Sequence, residues 1–335
     1  MNPHNKIRIL PALEEHASDW TEIFLDGLRR YRWMMRYLKQ QNISKYDVTQ
    51  SFIQDIHNQT QEEQLLIAFY NNRPAGIIRF DRYFIPSTTK ILSHFPLVKQ
   101  RFQRRGIGTA LVKQGILNAY NSGYENIWAE CWSLHQREIS VYENFYSKIG
   151  FECKSKRYEM NCNISDLKII QTINIPNFEI ISNENLTEEF IQAISSSYKV
   201  SSDILHSFEN LGDFETAKKF LIQTKKSFDS IGFIIDCKLL KYQNEICGAM
   251  MTATSNIRGM ILEIGILPNY RRKKLAKKAI IDYILQMKNK QVYEIILGVD
   301  STNIPAISLY EKIGFIKTWM GSMLFLENKG KLNLE

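Results

Sequence analysis

No run of this 335-residue chain approaches the roughly eighteen apolar residues of a membrane-spanning helix, and Met1–Arg8 is polar with no apolar stretch behind it. Neither a span nor a secretory leader is therefore expected, and the protein is read as cytoplasmic. Cysteine is scarce: Cys131, Cys153, Cys162, Cys237 and Cys247 are odd in number and show no close pair and no Cys/His cluster at zinc spacing. That excludes a disulfide scaffold and a thiolate metal centre; buried free thiols and no metal are expected. Glycine (16) and proline (8) are too few for collagen or a low-complexity chain, and 44% apolar residues exclude disorder. The triphosphate-loop sequence GKS or GKT is absent. What remains is a globular chain longer than one core usually absorbs, hence two domains.

Charge is present in excess of one sign. The net charge is +8, which favours phosphorylated or polyanionic partners without choosing among them. The basic residues cluster: Lys99, Arg101, Arg104 and Arg105 in one place, Arg271, Arg272, Lys273, Lys274, Lys277 and Lys278 in another. Each cluster precedes or opens a helical pattern.

The chain contains itself twice. YSKIGF (Tyr146–Phe151) recurs as YEKIGF (Tyr310–Phe315), and QRRGIG (Gln103–Gly108) faces RRKKLA (Arg271–Ala276), in the same order at nearly the same spacing. A repeat this long is a duplicated domain. The expected organisation is residues 1–163, a linker at 164–175, and residues 176–335. In the first repeat, runs at Leu65–Tyr70 and Ala75–Phe84 flank a hairpin signal, and a third strand is expected at Lys90–Val98. A helix over Arg105–Asn121 follows, then a strand at Asn126–Trp132, a helix at Arg137–Lys148 and a strand at Phe151–Met160. The second repeat has strands at Gly232–Lys241, Ile246–Ser255 and Gly259–Leu267, a helix over Arg272–Lys288, a strand at Tyr293–Val299 and a helix over Asn303–Ile313. Strands alternating with helices around a mixed sheet make each repeat α/β or α+β. A helix over Trp20–Leu38 reads as core, with Trp33, Met34 and Tyr37 as candidate walls of an acceptor pocket.

Strand, tight turn, Gly106, Gly108 and helix place unpaired amides and the positive end of a helix dipole where an anion can sit. A lone Gly-x-Gly also fits dinucleotide folds or simple packing. Here it follows a β-hairpin, which dinucleotide-binding folds lack.

With these residues in view, both repeats resemble the GNAT superfamily of N-acetyltransferases. The acyl-CoA motif of that family (Gln or Arg, two residues, Gly, one residue, Gly or Ala) is met by Gln103, Gly106 and Gly108. In the second repeat Arg271 and Ala276 fit, while Lys274 stands where glycine is usual. The later family motif is intact as Asn303, Ala306, Leu309, Tyr310, Gly314 and Phe315; in the first repeat Tyr146, Gly150 and Phe151 remain, with Ile139 and Tyr142 replacing the Asn and Ala. The resemblance implies two acyl-CoA-binding domains, each a mixed, mostly antiparallel sheet flanked by helices, with acetyl-CoA as co-substrate. It places the cofactor on Val98, Gln103, Arg104, Arg105, Gly106, Ile107, Gly108 and Thr109 in the first repeat. In the second it implies Ile264, Ile266, Arg271, Arg272, Lys274, Ala276, Lys277, Asn303 and Ala306.

Direct transfer from a thioester needs a base for the amine, a donor for the oxyanion and a proton for the thiolate. An alkylammonium has a pKa of about 10, so a base or water chain is wanted at neutral pH. By resemblance Glu263 stands where many family members take that base, and Tyr310 is the proton donor. In the first repeat His94 and Tyr146 hold the corresponding places. Each has a structural alternative: a hydrogen-bonded strand carboxylate, a structural histidine, a tyrosine packed beneath the last strand. The oxyanion donor is expected to be a backbone amide near Ile266 or Val98.

The expected activity is acetyl transfer from acetyl-CoA to a primary amine, of a small molecule such as an amino sugar or amine-bearing antibiotic. The alternatives are a protein N-terminal or lysine acetyltransferase and a non-catalytic acyl-CoA sensor or scaffold. The phosphates of CoA account for both basic clusters, so neither nucleic acid nor membrane is an expected partner.

Overall fold

The structure, a computed structural model, describes residues 7–29, 35, 38–39, 42–58, 63–82, 88–92, 95–167 and 172–328. It divides into two compact units: residues 1–132, 141–153 and 323–335 form the first, and residues 133–140 and 154–322 the second.

The first unit begins with β1 (Ile7–Pro11), α1 (Ala17–Leu28) and α2 (Lys45–His57), followed by the hairpin β2 (Gln64–Tyr70) and β3 (Arg73–Arg82). Asn71 and Asn72, at φ +49° and +59°, make its two-residue turn, the left-handed pair that matches strand twist. β1 is antiparallel to β2, and β2 to β3. The third strand differs from the expected single run over Lys90–Val98: it is broken into β4 (Thr88–Ile91) and β5 (Leu97–Val98), both antiparallel to β3. Pro96, which has no amide to give a ladder, lies in the break. Next come α3 (Ile107–Asn121), β6 (Asn126–Ser133, to Trp132) and α4 (Gln136–Ser147, from Val141). β6 is parallel to β4. α3 packs on the sheet through Gly115, where a Cβ would lie 2.1 Å from the Phe80 ring, so only glycine lets helix and strand approach so closely. On the other side Trp20 of α1 stacks on Phe52 of α2, with ring centroids 4.4 Å apart. The helix expected over Trp20–Leu38 runs from Ala17 to Leu28; Trp33, Met34 and Tyr37 lie outside the described residues.

The second unit is built on β7 (Glu152–Asn163, from Lys154), β8 (Phe178–Asn183), β9 (Ile234–Tyr242), β10 (Glu245–Thr254), β11 (Arg258–Ile266) and β12 (Glu294–Asp300). Its helices are α5 (Glu188–Tyr198), α6 (Ile204–Phe208), α7 (Phe214–Ser230), α8 (Leu275–Asn289) and α9 (Ile304–Ile313). Strand order is β7-β12-β11-β10-β9-β8. Every neighbouring pair is antiparallel except β11 and β12. The turn Gln243–Asn244, at φ +55° and +67°, repeats the hairpin chemistry of Asn71–Asn72. Met250, Ile261, Ile280, Tyr283, Ile284, Leu297 and Phe315 belong to the core of this unit.

The last strand, β13 (Ile316–Glu327), contributes Ile316–Ser322 to the second unit and Met323–Glu327 to the first. In the first unit Phe325 meets Trp128 edge-on and the Asn328 amide donates to the Glu125 carbonyl at 2.8 Å. The cysteines are free thiols, four buried and Cys153 exposed, so burial was expected of one thiol too many.

Candidate active site

Two turns carry the basic clusters, and they share one backbone. Arg104 and Gly106 lie at φ +62° and +79°, and Arg272 and Lys274 at +66° and +65°. Lys274 thus adopts the left-handed conformation that glycine takes without steric cost, at a penalty of about 1–2 kcal/mol. Neither α3 nor α8 has a side-chain N-cap, so the first-turn amides of Ile107, Gly108 and Thr109, and of Leu275, Ala276 and Lys277, are not capped from the N-cap position. A Cβ added at Gly106 would meet nothing within 4 Å, which leaves the space over the turn open. These residues fit a diphosphate: amides, a helix dipole and cations converge on unfilled space. In the first unit that space is a cleft of about 850 Å³ running from Gly106, Gly108 and Thr109 past Val98 to Tyr142 and Phe145.

The first residue of each motif braces its turn. Gln103 Nε2 donates to the Val98 carbonyl at 3.1 Å, and Arg271 Nε donates to the Ile266 carbonyl at the same distance. Arg271 also donates to the carbonyls of Ser197 (2.9 Å) and Val200 (3.3 Å), tying the turn to the end of α5. Arg105 rests on the Tyr70 ring. The other expected contacts distribute along the same surfaces: Arg104, Arg272 and Lys274 are exposed, and Ile264, Ile266, Ala276, Lys277 and Ala306 are half-buried. The side-chain oxygen of Asn303 caps α9 by accepting from the Ala306 amide at 3.3 Å.

In the second unit β11 and β12 pair in register only from Arg258–Glu294 to Ile261–Leu297, and beyond that the two parallel strands part. At the same point the β10 ladder steps from Ile261 to Glu263, leaving Leu262 as a bulged residue. The bulge re-aims the strand where it parts from its neighbour. Glu263 follows at once.

Glu263 is half-buried, and the Tyr198 hydroxyl donates a hydrogen bond to its Oε2. Burial raises its carboxyl to about 7; the Tyr198 hydrogen bond and the Arg157 guanidinium pull it down, and Glu209 and Asp203 push it up. Tyr198 stacks on His206 with ring centroids 3.8 Å apart and planes 16° from parallel. His206 is held neutral, its pKa lowered to about 3 by burial and then by Arg157, and its Nδ1 lies 3.2 Å from the Ser201 hydroxyl. Asp203 caps the short α6 by accepting from the Leu205 and His206 amides at 3.0 and 3.3 Å. Arg157, from β7, faces Asp203, Glu209, Glu263 and Asp300, and its Nε has no hydrogen-bond partner among the described residues.

The two motif tyrosines occupy matching frames. Gly314, at φ +118°, caps α9, and Gly150, at φ +106°, closes the turn that follows α4; the amides of Phe151 and Phe315 donate back to the carbonyls of Tyr146 and Tyr310 at 3.1 and 3.0 Å. Their hydroxyls differ. Tyr146, 1% exposed, donates to the Phe95 carbonyl at 2.5 Å. Tyr310, 6% exposed, has no hydrogen bond from its hydroxyl among the described residues. Burial, then Glu263 and Asp203, push its hydroxyl well above the usual phenol range. His94 lies outside the described residues.

Tyr198, His206, Asp203 and Arg157 were not singled out from sequence. Only Asp203 had a local signal, an acidic N-cap before an apolar pair. Among the described residues no group of three or more His, Cys, Asp or Glu is placed to hold a metal ion, and no helix is long and apolar enough to cross a membrane.

The motifs on these two frames match the model of the Acetyltransferase (GNAT) family twice, over residues 25–151 and 199–315. The chain belongs to that family, and its fold is the tandem form. A tandem GNAT protein from the clavulanic acid biosynthesis pathway superposes with a TM-score of 0.60 at 13% identity, over 96% of this chain and 98% of the other. A GCN5-related N-acetyltransferase from Sphaerobacter thermophilus gives 0.59 at 12% identity, over 98% and 97%. In sequence, 61 residues are 41% identical to an N-alpha-acetyltransferase of Saccharolobus solfataricus, covering 18% of this chain and 36% of that relative.

Proposed function

We propose that the protein is an acetyl-CoA-dependent N-acetyltransferase that acetylates a primary amine in its second unit. The observation that carries this reading is Glu263, a half-buried carboxyl hydrogen-bonded by Tyr198 at the point where β11 and β12 part, with its pKa raised by desolvation to about 7. A base with that pKa is half ionised at neutral pH, near the optimum for accepting a proton from an attacking amine. The first-turn amides of α8, with Arg272, Lys273 and Lys274, would hold the diphosphate of acetyl-CoA. When bound, that co-substrate supplies a carbonyl already activated as a thioester.

The amine nitrogen forms the new bond to the acyl carbon as the carbon–sulfur bond breaks; Glu263 takes the proton the nitrogen sheds, and Tyr310 holds the proton offered to the leaving sulfur. The two events reinforce each other. Tyr310 clings to its proton partly because Glu263 is negative nearby; once Glu263 has been protonated, that penalty on releasing the Tyr310 proton falls. Proton uptake thus primes proton donation.

A small cationic acceptor is supported by the charge around the base: Asp203, Glu209 and Asp300 are set against the single guanidinium of Arg157. A second reading, the α-amine of a peptide, draws on the 61 residues shared with the N-alpha-acetyltransferase. Both are tested by incubating the purified chain with acetyl-CoA and separate amino sugars, polyamines and peptides with free N-termini, reading thiol release. Turnover with a small amine supports the first reading; turnover with peptides alone selects the second. Binding of acetyl-CoA with no transfer to any amine would leave a sensor or scaffold.

A further inference from the structure

Glu263 is one member of a largely desolvated polar assembly, with Tyr198 and Asp203 buried, whose other members the proposed chemistry does not use. Tyr198 closes α5, its hydroxyl spent on Glu263 Oε2, so that oxygen is fixed and Oε1 is the one left for other partners. A phenol ring has two torsions, and what holds this one is the parallel face of His206 at 3.8 Å. The His206 ring is placed in turn by its own backbone: Asp203 receives the His206 and Leu205 amides and so sets the single turn of α6. Ser201 closes the loop, its hydroxyl oxygen accepting from the Asp203 amide at 3.1 Å and lying 3.2 Å from His206 Nδ1.

Resting on the acetyltransferase reading, we propose that Tyr198, locked by its stack on His206, is a positioning residue that fixes one carboxylate oxygen of Glu263 and favours its ionised form. The charged and titratable groups around Glu263 decide the sign. Burial favours the neutral acid, and so do Glu209 and Asp203. Against them stand the Tyr198 hydrogen bond from α5 and the Arg157 guanidinium from β7, the latter shared with Asp300 of β12. Tyr310 of α9 also feels Glu263, but stays protonated and neutral. His206 is neutral too, so it acts on Tyr198 by shape and adds no charge. Removing the Tyr198 hydroxyl deletes one of the two groups favouring the anion, and the carboxyl must titrate at higher pH.

The test compares wild type with Tyr198→Phe, His206→Phe and His206→Ala in the full chain, by kcat/KM against pH with an amine that turns over. Alongside it, NMR titration of 13C-carboxyl-labelled glutamate is assigned by subtracting the Glu263→Gln spectrum. Tyr198→Phe keeps the ring and the stack. It is expected to move both the acid limb and the Glu263 titration upward by about one pH unit, a roughly tenfold loss of rate below the limb, with the alkaline plateau within about threefold of wild type. His206→Phe preserves the stack and leaves both where they were; His206→Ala frees the Tyr198 ring and moves them part of the way. An unmoved Glu263 titration in Tyr198→Phe overturns the proposal. So does a loss of rate at every pH with that titration in place, which would assign Tyr198 to the substrate. If wild type transfers acetyl to no amine, the acetyltransferase reading fails on its own, and the carboxyl titration still decides what Tyr198 does.

Discussion

The two units keep the same backbone and differ in what is buried behind it. Both turns alternate left-handed residues before an uncapped helix, both use the first motif residue to brace the preceding strand, and both follow the later helix with a glycine at positive φ. In the first unit the motif tyrosine is anchored to the Phe95 carbonyl and an open cleft lies over the turn. In the second the tyrosine hydroxyl faces a titrating carboxyl set in a polar cluster. Backbone geometry, which suits any ligand carrying a diphosphate, is shared by both turns; the tyrosine hydroxyls sit in different surroundings, a backbone carbonyl in one unit and a carboxyl's field in the other.

The comparison breaks most directly at Glu263. Glu263→Gln is expected to lower kcat by about 10²–10⁴-fold near neutral pH while acetyl-CoA still binds, because an amide cannot take the amine proton. Calorimetric titration against turnover separates the two effects, and an unchanged kcat would remove the base from the second unit. The tyrosines give the next largest contrast. Tyr310→Phe should cost about 10²-fold in turnover with little change in stability, since its hydroxyl makes no hydrogen bond among the described residues. Tyr146→Phe should do the reverse, leaving the buried Phe95 carbonyl without its donor and costing about 1–3 kcal/mol in denaturant unfolding at nearly unchanged turnover. If Tyr146→Phe silenced transfer and Tyr310→Phe did not, the reactive unit would be the first.

These contrasts mark where the sequence was legible and where it was not. The duplication, most of the strands and helices and the left-handed turns before α3 and α8 were readable because each depends on neighbours a few residues away: a Gly at a left-handed position, an Asn cap, an apolar run. The broken third strand of the first unit was read as continuous because Leu92 and Pro96 sit inside an apolar stretch whose pattern does not reveal lost ladder bonds. The role of Arg271 as a brace depends on the carbonyls of Ser197 and Val200, distant in sequence. The surroundings of Glu263 were out of reach for the same reason, since Arg157, Tyr198, Asp203 and His206 come from three separate stretches. Spacing carries no sign of a stack or of a guanidinium set among carboxylates.

A smaller effect appears in stability against pH, where Glu263 and His206 pull in opposite directions. The folded-state pKa of Glu263 is raised from 4.5 to about 7, so the folded state holds that proton more tightly and the contribution is lost as pH rises from 4.5 through about 7. His206 is depressed from 6.5 to about 3, so its contribution is present above 6.5 and lost as pH falls towards 3. Between 4.5 and 6.5 the two oppose each other, and below 4.5 only His206 still acts. His206→Phe removes the acid-labile group. At pH 7 it should cost up to about 1 kcal/mol through the lost Ser201 contact, yet below pH 4.5 its melting temperature should overtake wild type. Curves that stay parallel down to pH 3 would mean that His206 is not held neutral in the folded state.

The smallest effect tests the point at which the two cradles differ in sequence. Lys274 holds a conformation that costs a non-glycine residue about 1–2 kcal/mol, and Lys274→Gly relieves it. The glycine gives the unfolded chain more freedom, which takes back about 0.4–1 kcal/mol, so the net gain in stability should lie between about 0 and 1.6 kcal/mol. Acetyl-CoA affinity should move the other way: loss of one exposed cation beside the diphosphate is worth about 0.2–1 kcal/mol, at most about a fivefold weaker Kd. The mirror change, Gly106→Lys, should cost a similar small stability without closing the first cleft, because a side chain there begins in open space. Opposite signs for stability and affinity at position 274 would show that the lysine is kept for its charge against the preference of its backbone; a fall in both on Lys274→Gly would show instead that its side chain packs in the turn.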